Sequence, residues 1–270
     1  LVATGTGSGK TECFRYPILE YCYQHRGERG IKALIIYPMN ALATDQAKRI
    51  AELIYGSDAL RGNVTVGMYV GGQEHTPART MSEHGVITDH ETMLNNAPDI
   101  LMTNYKMLDY LLVRPKDALL WQDNEPETLK YIAVDELHTF DGAQGTDLAC
   151  LLRRLKRRLG IYDGYLCCVG TSATMGSKEN NSNILNYAEE IFGEPFDKDA
   201  IITEDRLSAQ EFFAGAEVTE FTLPTVEQAI ELEKLSQEDE PSAYLQSAVK
   251  DWLPNFSFDV RDDEGRIQLG

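Results

Sequence analysis

The sequence predicts an α/β protein, with a mostly parallel sheet covered by helices on both faces. Three observations carry this. Short apolar and β-branched runs alternate with stretches of helical period over roughly residues 1–200. The runs lack polar alternation, as strands buried on both faces do. A glycine-rich turn closed by Lys10-Thr11 stands directly before the first helical stretch.

In chain order, a helix is expected over Thr11–Gln24, a strand over Ala33–Tyr37 (ALIIY) and a helix over Ala41–Tyr55. Strands follow at Val64–Val70 (VTVGMYV) and Asp99–Thr103 (DILMT), then a helix at Tyr105–Leu112. Tyr131–Asp135 (YIAVD) reads as a strand ending in an acidic residue. Thr146–Leu159 carries Leu148, Leu151, Leu152, Leu155 and Leu159 at helical spacing, which assigns that face to the core. Its other side shows Arg153, Arg154, Lys156, Arg157 and Arg158, read as a solvated face. The strand Tyr165–Thr171 (YLCCVGT) and the helix Asn183–Phe192 complete the alternation. Met102, Tyr105, Met107 and Tyr110 are read as core or helix-packing residues. Sheets of this kind place ligands beyond the carboxyl ends of their strands.

A chain of 270 residues accommodates one large α/β domain and a smaller appendage. No run approaches the ~18–20 apolar residues of a membrane span, and no secretory signal pattern stands at the start. The five cysteines, Cys13, Cys22, Cys150, Cys167 and Cys168, show no C-x-x-C spacing and sit in apolar segments, so buried reduced thiols in a cytoplasmic compartment are expected. His75, His84 and His90 match no zinc template. The formal charge of −18 is uneven: residues 204–270 hold 16 acidic and 5 basic side chains, a balance of −11, leaving −7 for the front of the chain. The overall charge therefore neither supports nor excludes a nucleic-acid partner. Residues 207–270, with a helical patch at Val226–Leu235 and a turn at Gln237–Pro241, are read as an acidic, partly helical insertion or linker behind a domain at 1–206.

The segment TGTGSGKT (Thr4, Gly5, Thr6, Gly7, Ser8, Gly9, Lys10, Thr11) matches G-x-x-x-x-G-K-[ST] except that Thr4 replaces the first glycine. Glycines let the backbone N–H groups converge on phosphate oxygens, and the following helix adds its positive end. Lys10 would reach the β/γ-phosphates and the Thr11 hydroxyl would help hold Mg²⁺. Asp135, 125 positions after Lys10 (135 − 10), ends an apolar strand and is followed by Glu136-Leu137-His138. In such a protein Asp135 would hold Mg²⁺ and Glu136 would orient and deprotonate the attacking water.

These residues resemble superfamily 2 helicases of the DExH class. TGTGSGKT resembles motif I, where alanine commonly replaces the first glycine, and DELH (Asp135–His138) resembles motif II. TSAT (Thr171, Ser172, Ala173, Thr174) is similar to motif III, which links ATP hydrolysis to movement on nucleic acid. YPMNALATDQ (Tyr37–Gln46) resembles motif Ia, with Asn40 where many relatives carry arginine. Gly71-Gly72 and LMTNYKMLDYLL (Leu101–Leu112) occupy the places of the backbone-gripping motifs. Within the superfamily, DELHTFDGAQGTDLACLLRRL looks most like bacterial Lhr- or MrfA-type DNA helicases.

The resemblance implies a RecA-like P-loop NTPase domain, a three-layer sandwich, acting with ATP and Mg²⁺ as the first half of a DNA helicase or translocase. His138 would bridge the carboxylate pair to Ser172 and Thr174. Nucleic acid would be held by its backbone, through Pro38, Asn40, Ala41, Gly71, Gly72, Thr103 and Asn104. The second RecA-like domain and most of the central strand before the phosphate loop are expected outside the chain, which alone would hydrolyse ATP poorly and not unwind. An RNA helicase motor and a nucleotide-gated scaffold are the alternatives; a small kinase or GTPase has no counterpart to the DELH–TSAT pair.

Overall fold

Seven parallel strands form one sheet in the computed structural model, which describes residues 1–4, 9–72, 76–172, 181–197, 199–203, 217–218 and 256–257. The helical patch at Val226–Leu235 and the turn at Gln237–Pro241 lie outside the described residues, as do His75, Ala173, Thr174 and the loop residues Gly5 to Ser8. The chain divides into two compact units, Leu1–Glu204 and Asp205–Gly270. In the second, β8 (Glu217–Val218) and β9 (Phe256–Ser257) pair antiparallel.

The first unit runs β1 (Val2–Ala3), α1 (Lys10–Gln24), β2 (Ala33–Tyr37), α2 (Asn40–Gly56), β3 (Val66–Tyr69) and α3 (His90–Asn95). It continues with β4 (Ile100–Asn104), α4 (Tyr105–Val113), a 3₁₀ turn at Pro115–Trp121, β5 (Tyr131–Val134) and a second 3₁₀ turn at Leu137–Thr139. α5 (Gly142–Leu159), β6 (Cys167–Ser172), α6 (Asn181–Phe192) and β7 (Ile202–Thr203) complete it. The spatial order is β3-β4-β2-β5-β6-β1-β7.

Strand β2 shows why the runs are apolar without alternation. Leu34 and Ile36 face a core built with α4, α5 and α6 residues such as Leu108, Leu152 and Ala188. Ala33, Ile35 and Tyr37 face the opposite core, with Phe14 and Ile18 of α1 and Ala43, Ala47 and Ile50 of α2. Side chains alternate along the strand, and both sides are dry.

Register aligns the carboxyl ends of the strands along one edge. Tyr37 pairs with Asn104, Ile36 with Val134, Val134 with Gly170, and Ser172 with Ala3. The residues before the phosphate loop do form a strand, of two residues, and it lies between β6 and the edge strand β7 rather than at the sheet's centre, which β5 occupies.

Several expectations are corrected. Of the five thiols, all free, Cys22 alone is buried; Cys13, Cys150 and Cys167 are exposed and Cys168 is half-buried. Cys13 and Cys150 sit on the outer faces of amphipathic helices, beside the inward-facing Phe14 and Leu151. Burial pushes the Cys22 thiol well above its usual range. Tyr110 is 54% exposed on α4, not packed. The basic side of α5 is exposed at Arg153, Arg154, Arg157 and Arg158, as expected, with three of these arginines also making surface contacts; Lys156 is the exception. Arg153 donates to the Glu190 carbonyl (2.8 Å), Arg154 pairs with Asp109, and Arg158 donates to the Leu112 carbonyl. Lys156 is buried, 2.6 Å from Glu194 and 3.1 Å from Asp163.

At the opposite, amino end of the sheet a buried ion pair pins β2 to β4. Lys32, 1% exposed, lies 2.7 Å from Asp99 Oδ1 and donates to the Glu28 carbonyl at 2.6 Å. The other Asp99 oxygen accepts from the amide and hydroxyl of Thr65, both at 2.7 Å. Removing one member of a buried pair strands the other, at about 3–5 kcal/mol. Asp99→Ala is therefore expected to lower the unfolding free energy by about that amount in urea titrations, with Asp99→Asn, which keeps an acceptor for Thr65, losing less.

Candidate active site

The phosphate-loop end is built by the start of α1. Gly9 takes the left-handed conformation at φ 78°, which only glycine adopts without strain, and turns the chain into the helix. Lys10 opens α1, is nine-tenths buried, and its Nζ donates to the Thr4 carbonyl at 3.1 Å. Thr11 lies half-buried in the same turn. The positive end of the helix lies directly behind Gly9.

The carboxylate pair follows from the pairing of β5 and β6. Because Val134 pairs with Gly170, the next residues out, Asp135 and Thr171, come side by side. The Thr171 hydroxyl donates to Asp135 Oδ1 and accepts from the Glu136 amide at 3.1 Å. Asp135 is 4% exposed. Glu136 is the one non-glycine residue with positive φ among those described, at φ 50° and ψ 50°. A strained backbone of this kind costs about 1–3 kcal/mol and has to be held by its surroundings; Thr171 and the 3₁₀ turn behind it hold it.

His138 stands between two partners. Its Nδ1 is 3.3 Å from Glu136 Oε2 and 3.3 Å from the Ser172 hydroxyl. A proton on Nδ1 would serve the carboxylate, whereas a bare Nδ1 would accept from Ser172, so one ring nitrogen can answer to either side. Glu136 Oε2 is buried and makes no hydrogen bond of full geometry. Beneath the site Tyr37 is fully buried; burial raises its phenol, the Asp135 charge adds to the shift and Arg15 opposes it. Asp135, Glu136, His138, Thr171 and Ser172 thus come together, next to the strand that leads into Thr4.

The second group lies along the same edge. Asn40, the first residue of α2, donates to the Gly71 carbonyl at 2.9 Å, and Asn104 donates to Asn40 Oδ1 at 2.6 Å. Asn104 also caps α4 by accepting from the Met107 amide at 2.8 Å. Three loops that follow β2, β3 and β4 are thereby knotted together. Pro38 is half-buried, Ala41 and Gly72 are exposed, and Gly72 has φ 75°. Thr103 corrects an expectation: it is fully buried and its hydroxyl donates to the Tyr69 carbonyl at 2.7 Å, so it supports this edge from inside rather than presenting a group to a ligand.

Two residues here were missed by sequence reasoning. Arg15 of α1, 3% exposed, reaches Gln46 of α2, 7% exposed. The available signal was a charged residue on the apolar side of a helix, between Phe14 and Ile18.

A parallel sheet with a glycine-lysine-threonine turn before its first long helix, and an acidic pair beyond β5, with β6 standing between β5 and β1, defines a RecA-like phosphate-loop domain. The sequence matches the DEAD/DEAH box helicase family over residues 1–182, and the chain belongs to that family. It is 28% identical over 290 residues to Druantia protein DruE of Escherichia coli (strain UMEA 4076-1), covering 72% of this chain and 16% of that protein. It is 31% identical over 197 residues to the uncharacterized ATP-dependent helicase YprA of Bacillus subtilis (strain 168), covering 72% of this chain and 22% of that one. A crystal structure of the DUF1998 helicase MrfA bound to DNA and AMPPNP aligns with TM-score 0.52 and 30% identity, over 76% of this chain and 24% of that one. The chain therefore spans less than a quarter of the length of each of these relatives. Among the described residues no helix is long and apolar enough to cross a membrane.

Thr171 is the hinge of the carboxylate geometry, and its removal has a readable cost. Thr171→Val keeps the shape but leaves the buried Asp135 carboxylate without its hydroxyl donor. A stability loss of about 1–3 kcal/mol is expected by chemical denaturation, and Thr171→Ser should recover most of it.

Proposed function

We propose that residues 1–206 form the ATP-binding and hydrolysing motor domain of an ATP-dependent DNA helicase or translocase, and that the acidic residues 207–270 link it to the rest of the motor. The observation that carries this reading is Glu136. It is strained into place beside Asp135, backed by Thr171, and read by a histidine that also reaches Ser172.

In this reading the backbone amides of the loop and Lys10 bind the β- and γ-phosphates. The Thr11 hydroxyl and the Asp135 carboxylate are hard oxygen donors, the set that suits Mg²⁺, which when bound neutralises charge developing on the phosphates. The hydrogen bond from the Thr171 hydroxyl holds that carboxylate in place. Glu136 orients the attacking water and takes its proton. His138, within 3.3 Å of both Glu136 and Ser172, carries the state of the carboxylate to β6. Along the Asn40–Gly71–Asn104 edge, Pro38, Asn40, Ala41, Gly71, Gly72 and Asn104 hold the phosphate backbone of a single strand without reading its sequence. Binding to backbone alone lets a motor step over any sequence.

DNA is favoured as the partner by the MrfA likeness, whose structure holds DNA, at 30% identity. Unwinding is assigned to the whole protein, of which this chain supplies one side of the ATP cleft. An RNA motor remains the second reading, since the edge residues grip backbone.

Glu136→Gln in the whole protein is the direct test. ATPase activity stimulated by single-stranded DNA is expected to fall by about 10²–10⁴-fold, with nucleotide affinity retained in an equilibrium titration. Activity that survives the substitution removes Glu136 from the chemistry. Stimulation by RNA but not by equal-length DNA replaces the DNA reading with the RNA one.

A further inference from the structure

The nucleotide end and the nucleic-acid end belong to different helices, α1 and α2, and one buried charge joins them. Arg15 lies five residues after Lys10 on α1, and Gln46 lies six residues after Asn40 on α2. Arg15 is 3% exposed and Gln46 7% exposed, among Phe14, Ile18, Ala43 and Ala47. One arm of the guanidinium, Nη1, pairs with Glu12 Oε1 at 3.0 Å; the other, Nη2, donates to Gln46 Oε1. Glu12 is in the first turn of α1, next to Thr11. Beyond Gln46 the chain of contacts continues to Asp45, 3.5 Å from Gln46 Nε2 and 3.0 Å from Arg49.

A helix seam of this kind needs no charge. An apolar side chain would fill it without the desolvation cost of a buried guanidinium, which amounts to several kcal/mol before pairing. Its partners are one carboxylate and one neutral amide, so the compensation is incomplete. What arginine adds is a planar fork with fixed directions, so the first turn of α1 and the second turn of α2 move as one piece. Apolar contacts allow sliding; a fork held at both prongs does not.

We propose that Arg15 and Gln46 are positioning residues that transmit the state of the nucleotide-binding turn to the nucleic-acid edge at Asn40, by a route separate from the Glu136–His138–Ser172 path. The inference rests on the function proposed above. Through this link, nucleotide-dependent displacement of the turn carrying Thr11 and Glu12 shifts α2 and the Asn40–Gly71–Asn104 junction.

The test is a coupling measurement in the whole protein. Affinity for a fluorescein-labelled single-stranded oligonucleotide is measured by anisotropy with and without AMPPNP and Mg²⁺, and the ratio of the two is the coupling factor. Arg15→Met and Gln46→Leu are each expected to bring that factor at least about threefold closer to one. Nucleotide affinity in the absence of DNA should stay within about threefold. The double variant should lose no more than either single, because both remove the same link, and Gln46→Glu, which keeps an acceptor for Arg15, should preserve the factor. An unchanged factor in both single variants overturns the inference, as does a double variant that loses the sum. If Arg15→Met fails to fold, Arg15→Lys takes its place: it keeps the charge but loses the second prong, and a preserved factor there overturns the inference too. A coupling factor of one in the unsubstituted protein defeats the motor reading itself, and the inference with it.

Discussion

The parallel register of β5 against β6 is the constraint on which the site depends. Val134 opposite Gly170 leaves Asp135 and Thr171 as the next pair along β5 and β6; their backbones still join the sheet, through the Ile36 carbonyl and Val2, and their side chains meet each other. One step of slip would turn each strand's side chains to the opposite face, removing Asp135 from Thr171 and Ile132 and Val134 from the core they share with α5. The hydrophobic pattern that fixes the register therefore fixes the chemistry as well. The residue cost is concentrated at Glu136, whose left-handed backbone is stabilised by the same threonine.

The same edge holds the second group of residues for a related reason. Tyr37 and Asn104 end adjacent strands in register, so the loops that follow them emerge side by side and Asn40 can meet both Asn104 and Gly71. Both groups sit at the carboxyl ends of a sheet covered on both faces, where the helices that follow the strands begin. Buried polar residues behind the edge, Thr103 bonded to the Tyr69 carbonyl and Tyr37 near Asp135, set its shape from inside.

What was legible in the sequence divides along physical lines. The five longer strands, β2 to β6, are readable because burial on both faces leaves a continuous hydrophobic run; Ala33–Tyr37 has the same bounds in the structure. Strands β1 and β7 contain two residues each, too few to show any period. Helix α3, of six residues, and the 3₁₀ turn at Pro115–Trp121, of seven, are also short for a helical period to show, although the Asp89 cap and the proline at the first turn were local signals for them. Site residues were legible by type and spacing, and the family resemblance anticipated His138 between the carboxylate pair and Ser172, but the contact that fixes Asp135 was not legible. Thr171 meets Asp135 across 36 positions of chain, a contact that only register creates. Exposure of Cys13 and Cys150 depends on which way a helix is rotated, which an apolar neighbourhood does not report.

Arg15 marks where local reading fails in the most informative way. On an amphipathic helix a charged residue is assigned by default to solvent, since burying an ion unpaired is prohibitive. Here the default is reversed by two partners far apart in sequence, Glu12 on the same helix and Gln46 on the next. Lys156 of α5 repeats the pattern, buried against Glu194 and Asp163. The two differ in what they join. Lys156 ties α5 to the segment that follows α6, away from the strand edge, and its contacts are those of a structural clamp. Arg15 joins two helices that open on Lys10 and Asn40, the residues proposed to meet phosphate and the nucleic-acid backbone. A buried charge between elements of unequal function constrains their relative motion, which an apolar seam of the same volume would leave free.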